Sequence, residues 1–263
     1  MHVPLALLPL IGFAVALIAA PAGVSGAFLL LPLQLSVFGL SAAGATSTNL
    51  LYNVVATPGG ILRYAQEERV DRPITRLIVL GSVPGVVVGS VLRVSVFADP
   101  GAYRIFVGAV LIGLGAKLLV DVLFRRLAPP RASSRARSSG WIVALSAFVG
   151  VIGGIYGIGG GSFIAPYLVA VAGYSVYRVA GAALVATFVT SLAGLITYEL
   201  FAAAGHGSGA RWSVGLLLGV GGFAGSYAGA WLQRRLPEIG IKALVGSLAV
   251  ALGLHYVASA TRH

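Results

Sequence analysis

Gly157-Ile158-Gly159-Gly160-Gly161-Ser162-Phe163-Ile164-Ala165-Pro166 is the stretch that decides the fold of this chain. It lies within 37 residues, Trp141 to Tyr177, that contain no Asp, Glu, Lys or Arg. Such a run belongs in a bilayer, where a crossing helix needs about 20 apolar residues. Yet glycine fills four of the five positions 157–161. Each glycine weakens a helix interior by about 1 kcal/mol relative to Ala. The chain is therefore expected to unwind over Gly157 to Gly161 and restart a helix near Ser162. A helix that starts inside a membrane presents unpaired N–H groups and the positive end of its dipole, and lipid offers them no partner. One solution is an anion in a cavity, approached by backbone that glycine leaves bare. The other is close helix packing, in which the glycines serve contact alone.

The composition sets the frame for this stretch. Of 263 residues, 58% are hydrophobic and 10% charged, with a mean hydropathy of +0.95. A soluble domain of this size cannot hide so much apolar surface, so the chain is an all-α polytopic membrane protein whose partner is the lipid bilayer. Lys and Arg number 18 against 7 Asp and Glu. The basic residues lie in loops, where they orient a membrane protein, so no nucleic-acid partner is called for. There is no cysteine, and His2, His206, His255 and His263 are scattered near segment ends. Neither a disulfide nor a spaced metal set is expected, and no cofactor is implied. Leu5 to Ala20 followed by Pro-Ala-Gly has the outline of a signal peptide. No Lys or Arg precedes it, and an internal repeat makes it an integral segment.

That repeat emerges when the chain is shifted by 134 residues. Gly23, Gly26, Pro32, Val37, Gly39, Ser41, Leu50, Val55, Gly60 and Tyr64 then meet identical residues, from Gly157 to Tyr198. These are ten matches in 42 ungapped positions, where a composition so biased gives roughly four by chance. Further on, Gly85 and Gly89 match Gly225 and Gly229, and Gly108 and Gly115 match Gly246 and Gly253. Residues 1–124 are thus expected to form an N-terminal repeat and 141–263 a C-terminal one. Residues 125–140, with Pro129-Pro130, serines and arginines, read as a polar linker. Each repeat opens on a Gly/Pro-interrupted segment, and the whole amounts to about eight to ten membrane helices.

The helix after the first break, Ser41 to Leu62, carries Thr46, Asn49, Asn53 and Thr57 at spacings of three and four, which puts all four on one face. In the second repeat Thr187 stands for Asn53 and Ser191 for Thr57. Polar groups at this depth either line a cavity or bond between helices. Arg93 is expected in a short loop. Arg178, at the edge of the second half, suits either an anion-attracting mouth or an ordinary loop. The seven acids, Glu67, Glu68, Asp71, Asp99, Asp121, Glu199 and Glu238, all fall in loops or near segment ends. An internal carboxylate proton relay is therefore not expected.

Charge also bears on topology. If each broken segment crosses the membrane once, the halves run parallel and the basic residues divide 12 inside to 6 outside. If each doubles back as a hairpin, the halves are inverted and the division is 14 to 4. The positive-inside rule prefers the inverted arrangement, which is also the plan of many secondary transporters.

Gly-Ile-Gly-Gly-Gly-Ser-Phe-Ile-Ala-Pro at 157–166, with its weaker copy Gly-Val-Ser-Gly-Ala-Phe-Leu-Leu-Leu-Pro at 23–32, resembles the signature of the TauE/SafE family of sulfite and sulfonate transporters. The likeness spans essentially the whole chain. Ser25 and Ala27 replace the glycines that stand at 159 and 161, which argues against two equal sites. The resemblance implies a multi-pass cell-membrane protein, prokaryotic, moving sulfite, sulfoacetate or a related sulfonate. The expected anion site lies where the two breaks meet. It comprises Ser25, Gly26, Asn49, Asn53, Gly157, Gly159, Gly160, Gly161, Ser162, Thr187 and Ser191, with no metal. A passive anion channel and a non-transporting membrane partner are the alternatives. An enzyme would need a nucleophile–base pair or a metal set, and the sequence offers neither. A homo-oligomer is compatible with the sequence.

Overall fold

The computed structural model describes residues 4–96, 100–125, 138–170, 172, 174, 176–207, 209–235 and 237–260. Most of the 125–140 linker, the repeat positions 171, 173 and 175, and His2 and His263 lie outside the described residues. Among those described there are ten α-helices: α1 (Leu8–Ala19), α2 (Ala27–Ser36), α3 (Ala42–Gln66), α4 (Arg72–Ser95), α5 (Pro100–Arg125), α6 (Ser139–Tyr156), α7 (Gly161–Ala170), α8 (Val176–Ala203), α9 (Trp212–Leu232) and α10 (Glu238–Ala260). Four stretches, Arg72–Ser95, Ser139–Tyr156, Arg178–Ala203 and Trp212–Leu232, are long and apolar enough to cross a membrane. α2 and α7, at ten residues each, extend only about 15 Å.

Local chemistry explains the helix ends. Ser41, Asp71 and Ser138 cap α3, α4 and α6 by accepting the N–H groups of Gly44, Ile74 and Trp141. α6 stops where Gly157 takes a left-handed φ of 86°, its N–H returning to Gly153 O at 2.8 Å. α1 gives way to a 3-10 turn, Ala20–Ala22, that closes on Gly23 at φ 71°. The breaks expected at the two glycine motifs are therefore present, with α7 restarting at Gly161, one residue before the expected position.

Glycine contacts give the helix directions. Gly81, Gly85 and Gly89 of α4 lie against the carbonyls of Val143, Ala147 and Val151 of α6. Gly221, Gly225 and Gly229 of α9 lie in the same way against Pro9, Phe13 and Leu17 of α1. The 134-residue shift carries Pro9, Phe13 and Leu17 onto Val143, Ala147 and Val151, so each interface is the image of the other. Backbones this close leave no room for a methyl group, and in lipid such packing replaces the hydrophobic drive. α1 is thus parallel to α9. So is α3, because Gly215, Gly219 and Phe223 meet Leu51, Val55 and Gly59 in order. α1 and α3 therefore point the same way, and the segment between them doubles back as a re-entrant hairpin.

Equivalent helices of the two halves run antiparallel. In α3 and α8, Gly60 meets Leu184 and Gly194 meets Leu50. In α5 and α10, Gly108 meets Gly253 and Gly115 meets Gly246. Each contact is the other's image, the signature of a two-fold axis, so the repeats are inverted. Arg63, Arg69, Arg178 and Arg234 gather around Glu67 and Asp71 at one end. Arg211, whose N–H reaches Thr48, marks the other end.

The outer surface is apolar, with Leu80, Phe148, Leu200 and Val220 more than 60% exposed. The interior is where the polar side chains are, including Asn49, Asn53, Thr187 and Thr190. That inversion of the soluble pattern matches a chain solvated by lipid.

Candidate functional site

The two breaks meet at the centre of the molecule. The N–H of Ser25, just before α2, donates to Ser162 Oγ in the first turn of α7 at 3.0 Å. Two helix N-termini therefore converge, both carrying positive dipole ends. Ser162 Oγ in turn pairs with Thr187 Oγ1 of α8 at 3.2 Å. Gly160 N–H donates to Thr190 Oγ1 at 3.1 Å, and Ala27 N–H to Ser25 Oγ at 3.1 Å.

The asparagines of α3 reach across into the other half's loop. Asn53 Nδ2 donates to Ile158 O at 2.8 Å and to Ser191 Oγ at 3.2 Å, while its Oδ1 accepts from Ser25 Oγ. Asn49 Nδ2 donates to Gly157 O at 3.0 Å and to Ala27 O at 2.8 Å, and Gln34 donates to its Oδ1 at 3.3 Å. At Gly157 and Ile158 these amides satisfy carbonyls left open where α6 ends, a need that is obligatory away from water.

All eleven residues expected from sequence thus fall in one buried cluster. Ser25, Asn53, Ser191, Ser162 and Thr187 are joined by hydrogen bonds, and Asn49 binds the backbone beside them at Ala27 and Gly157. The glycines supply the backbone between them, and Gly159 abuts Thr190 and Ser191. In this conformation the amides of Asn49 and Asn53 serve protein carbonyls, which is the interhelical bonding role. Ser25 and Gly26 also line a cavity beside the first break.

Two tyrosines brace the breaks symmetrically. Tyr64 OH donates to Ala20 O at 3.3 Å and Tyr198 OH to Gly154 O at 2.9 Å. Both pairs are related by the 134-residue shift. They brace the end of each broken segment, Ala20 O also accepting from Gly23 N–H at 2.9 Å.

Arg93 departs from expectation. It lies in the last turn of α4, 2% exposed, with its guanidinium 3.8 Å from the ring centre of Tyr103. Tyr103 OH pairs with Thr46 Oγ1 at 2.8 Å, and Thr46 packs on Gly157. A cation–aromatic stack lets a charged head be buried at a helix end. Arg178 stands in the first turn of α8, its side chain exposed and its Nε donating to Asp71 Oδ2 at 2.9 Å. Sequence reasoning also passed over Thr190 and Tyr52. Tyr52 sits three residues after Asn49, on the same helical face, and that spacing was the available signal.

At the loop end, Glu67 binds Arg63, Arg69 and Arg234 at 2.6, 2.9 and 3.0 Å. Burial raises its carboxyl pKa, but hydrogen bonding and attraction from Arg69, Arg234 and Arg63 outweigh this and hold it below the usual range.

Inverted repeats whose interrupted helices converge at the centre define the architecture of a secondary-transporter-like membrane protein. The chain belongs to the TauE/SafE family: the family model "Sulfite exporter TauE/SafE" matches residues 8–256, nearly its whole length. This is a membrane transporter family, which implies a small anion as substrate and a multi-pass place in the bilayer. Comparison with curated proteins and with solved structures gave no match.

Proposed function

We propose that this protein is a secondary transporter for a small sulfur-containing anion, such as sulfite, sulfoacetate or a related sulfonate, in the cytoplasmic membrane of a prokaryotic cell. The observation that supports this most is the meeting of the α2 and α7 N-termini at Ser25 and Ser162. Neutral hydroxyls and amides surround that meeting point. Neutral donors and dipole ends attract an anion without the grip of a full charge, so the anion can leave again. In this reading 1–124 and 141–263 are the two repeats, 125–140 joins them, and the face bearing Arg63, Arg69, Arg178 and Arg234 is cytoplasmic. Export then needs no coupling ion, since about −100 mV inside favours exit of each negative charge by about 2.3 kcal/mol.

Proteoliposomes test this with labelled sulfite and sulfoacetate, the membrane potential clamped at both signs. Saturable flux that follows the potential is expected. Flux that never saturates would make the protein a channel. No flux from folded protein would leave the glycines a packing role alone.

A further inference from the structure

Gln233 and Arg93 occupy equivalent places at opposite ends of the molecule. Gly225 and Gly229 of α9 pack on α1 as Gly85 and Gly89 of α4 pack on α6. One turn further along each helix, the same shift of 140 residues sets Gln233 against Arg93. Both are long polar side chains, 4% and 2% exposed, at the C-terminal ends of α9 and α4. A polar head buried in this way is costly unless partners hold it. Each of the two is held against a broken segment.

Gln233 closes the end that carries the arginine cluster. Its Nε2 donates to Pro21 O at 2.8 Å, in the turn where α1 breaks, and its Oε1 accepts from Arg69 Nη2 at 2.5 Å. The Arg69 guanidinium lies 4.9 Å from the ring centre of Tyr64, whose hydroxyl donates to Ala20 O. Gln233, Arg69 and Tyr64 thus form a layer over Ala20 and Pro21, just before Ser25 in the chain. At the other end Arg93 stacks on Tyr103, Tyr103 pairs with Thr46, and Thr46 packs on Gly157. Both layers are built from side-chain contacts that water can replace. The glycine ridges between the helices are backbone contacts and offer no such exchange.

We propose that these two layers are the gates of the transport path, Gln233 at the face of the arginine cluster and Arg93 at the opposite face. This rests on the transporter reading above. Inverted repeats give the two ends equivalent machinery, and alternating access opens one end at a time. When Gln233 leaves Pro21 and Arg69, the first break is reached from the arginine face. When Arg93 leaves Tyr103, the second break is reached from the other face. With both layers formed, Ser25 and Ser162 are buried and shut off from both sides.

The chain has no cysteine, so single thiols can report on each gate. T57C on α3 lies between Asn53 and Tyr64, and S191C is its image on α8. The probes are membrane-impermeant methanethiosulfonates of both charge signs, applied to the full-length protein in vesicles of either orientation, with sulfite flux measured alongside. Q233A should raise the labelling rate of T57C by about tenfold, the scale on which one lost hydrogen bond shifts a two-state equilibrium. The rise should come only from the face of the arginine cluster. R93A should raise labelling of S191C as much, only from the opposite face. Q233M and R93M, which keep the bulk, replace any alanine variant that does not fold. Unchanged labelling in protein that carries sulfite would overturn the gates and leave the transporter standing. An equal rise from both faces would make the two residues structural supports and overturn the gates too. So would a rise with one sign of reagent alone, which is a plain charge effect, or a rise at one of the two ends alone. No sulfite flux in the wild type would instead overturn the transporter reading beneath them.

Discussion

The two breaks share a frame but not their contents. Gly23 and Gly157 both take left-handed backbone, and Tyr64 and Tyr198 brace equivalent carbonyls. At the first break a Cβ on Gly23 would find its nearest atom at 3.2 Å. The second break carries a further left-handed glycine, Gly159, and is wedged between α3, α4 and α8, with Thr46 O 2.6 Å from where a Cβ on Gly157 would lie. An inverted repeat fixes where the helices go. How each break is packed depends on side chains that have diverged, with Tyr52 against Ala186 the clearest case.

The largest predicted effect breaks that comparison at its glycines. Both G23A and G157A incur left-handed strain of about 1–2 kcal/mol. G157A adds overpacking against Thr46, typically about 1–3 kcal/mol more. Thermal melting in detergent should show G157A as clearly the less stable. Equal losses would mean the second loop can shift, and the contrast in tightness would fall. Gly160 also packs directly on Ser82, so a bulky residue there tests folding and site together.

A smaller effect separates the polar stripes. N53A removes the partner of Ile158 O and of Ser25, leaving buried groups unmatched at a cost of about 1–3 kcal/mol. T187A, its image, removes the bond with Ser162, a loss of about 0.5–1.5 kcal/mol. The difference in melting temperature between the two variants checks whether α3 or α8 holds the loops together.

The smallest effect concerns the loop end. Arg69 Nη2 donates to Gln233 at 2.5 Å, and Gln233 Nε2 donates to Pro21 O at 2.8 Å, tethering the charged cluster to the first break. Ile155, the image of Pro21, lies in a hydrophobic cluster instead. Because the Glu67 pKa is lowered, its contribution is full above the unfolded value of about 4.3. That contribution is lost as pH falls through the folded value. Melting temperature should therefore drop on acidification below about pH 4.3, and E67Q should lessen that drop. A wild-type curve no steeper than that of E67Q would remove the tether from the comparison.

Much of this was legible in the chain itself. Hydropathy placed it in a membrane, glycine dihedral preference put the breaks at Gly23 and Gly157, and a 134-residue shift revealed the repeat. The stripe Thr46, Asn49, Asn53 and Thr57 marked the interior face of α3. These are local or periodic properties, and local energetics decide them. Other features depended on docking the halves. Asn53 bonds Ile158 and Ser191, 105 and 138 residues away, and no local pattern indicates which carbonyl an amide will meet. Arg93 read as a loop residue because a charge ends an apolar run, whereas stacking on Tyr103 lets the helix include it. The hairpin at the first break follows from α1 and α3 lying parallel, a matter of which glycine ridge meets which backbone. The bonds of Gln233 to Arg69 and Pro21 exist only because the packed helices bring three distant segments together, and only the tertiary structure could decide that.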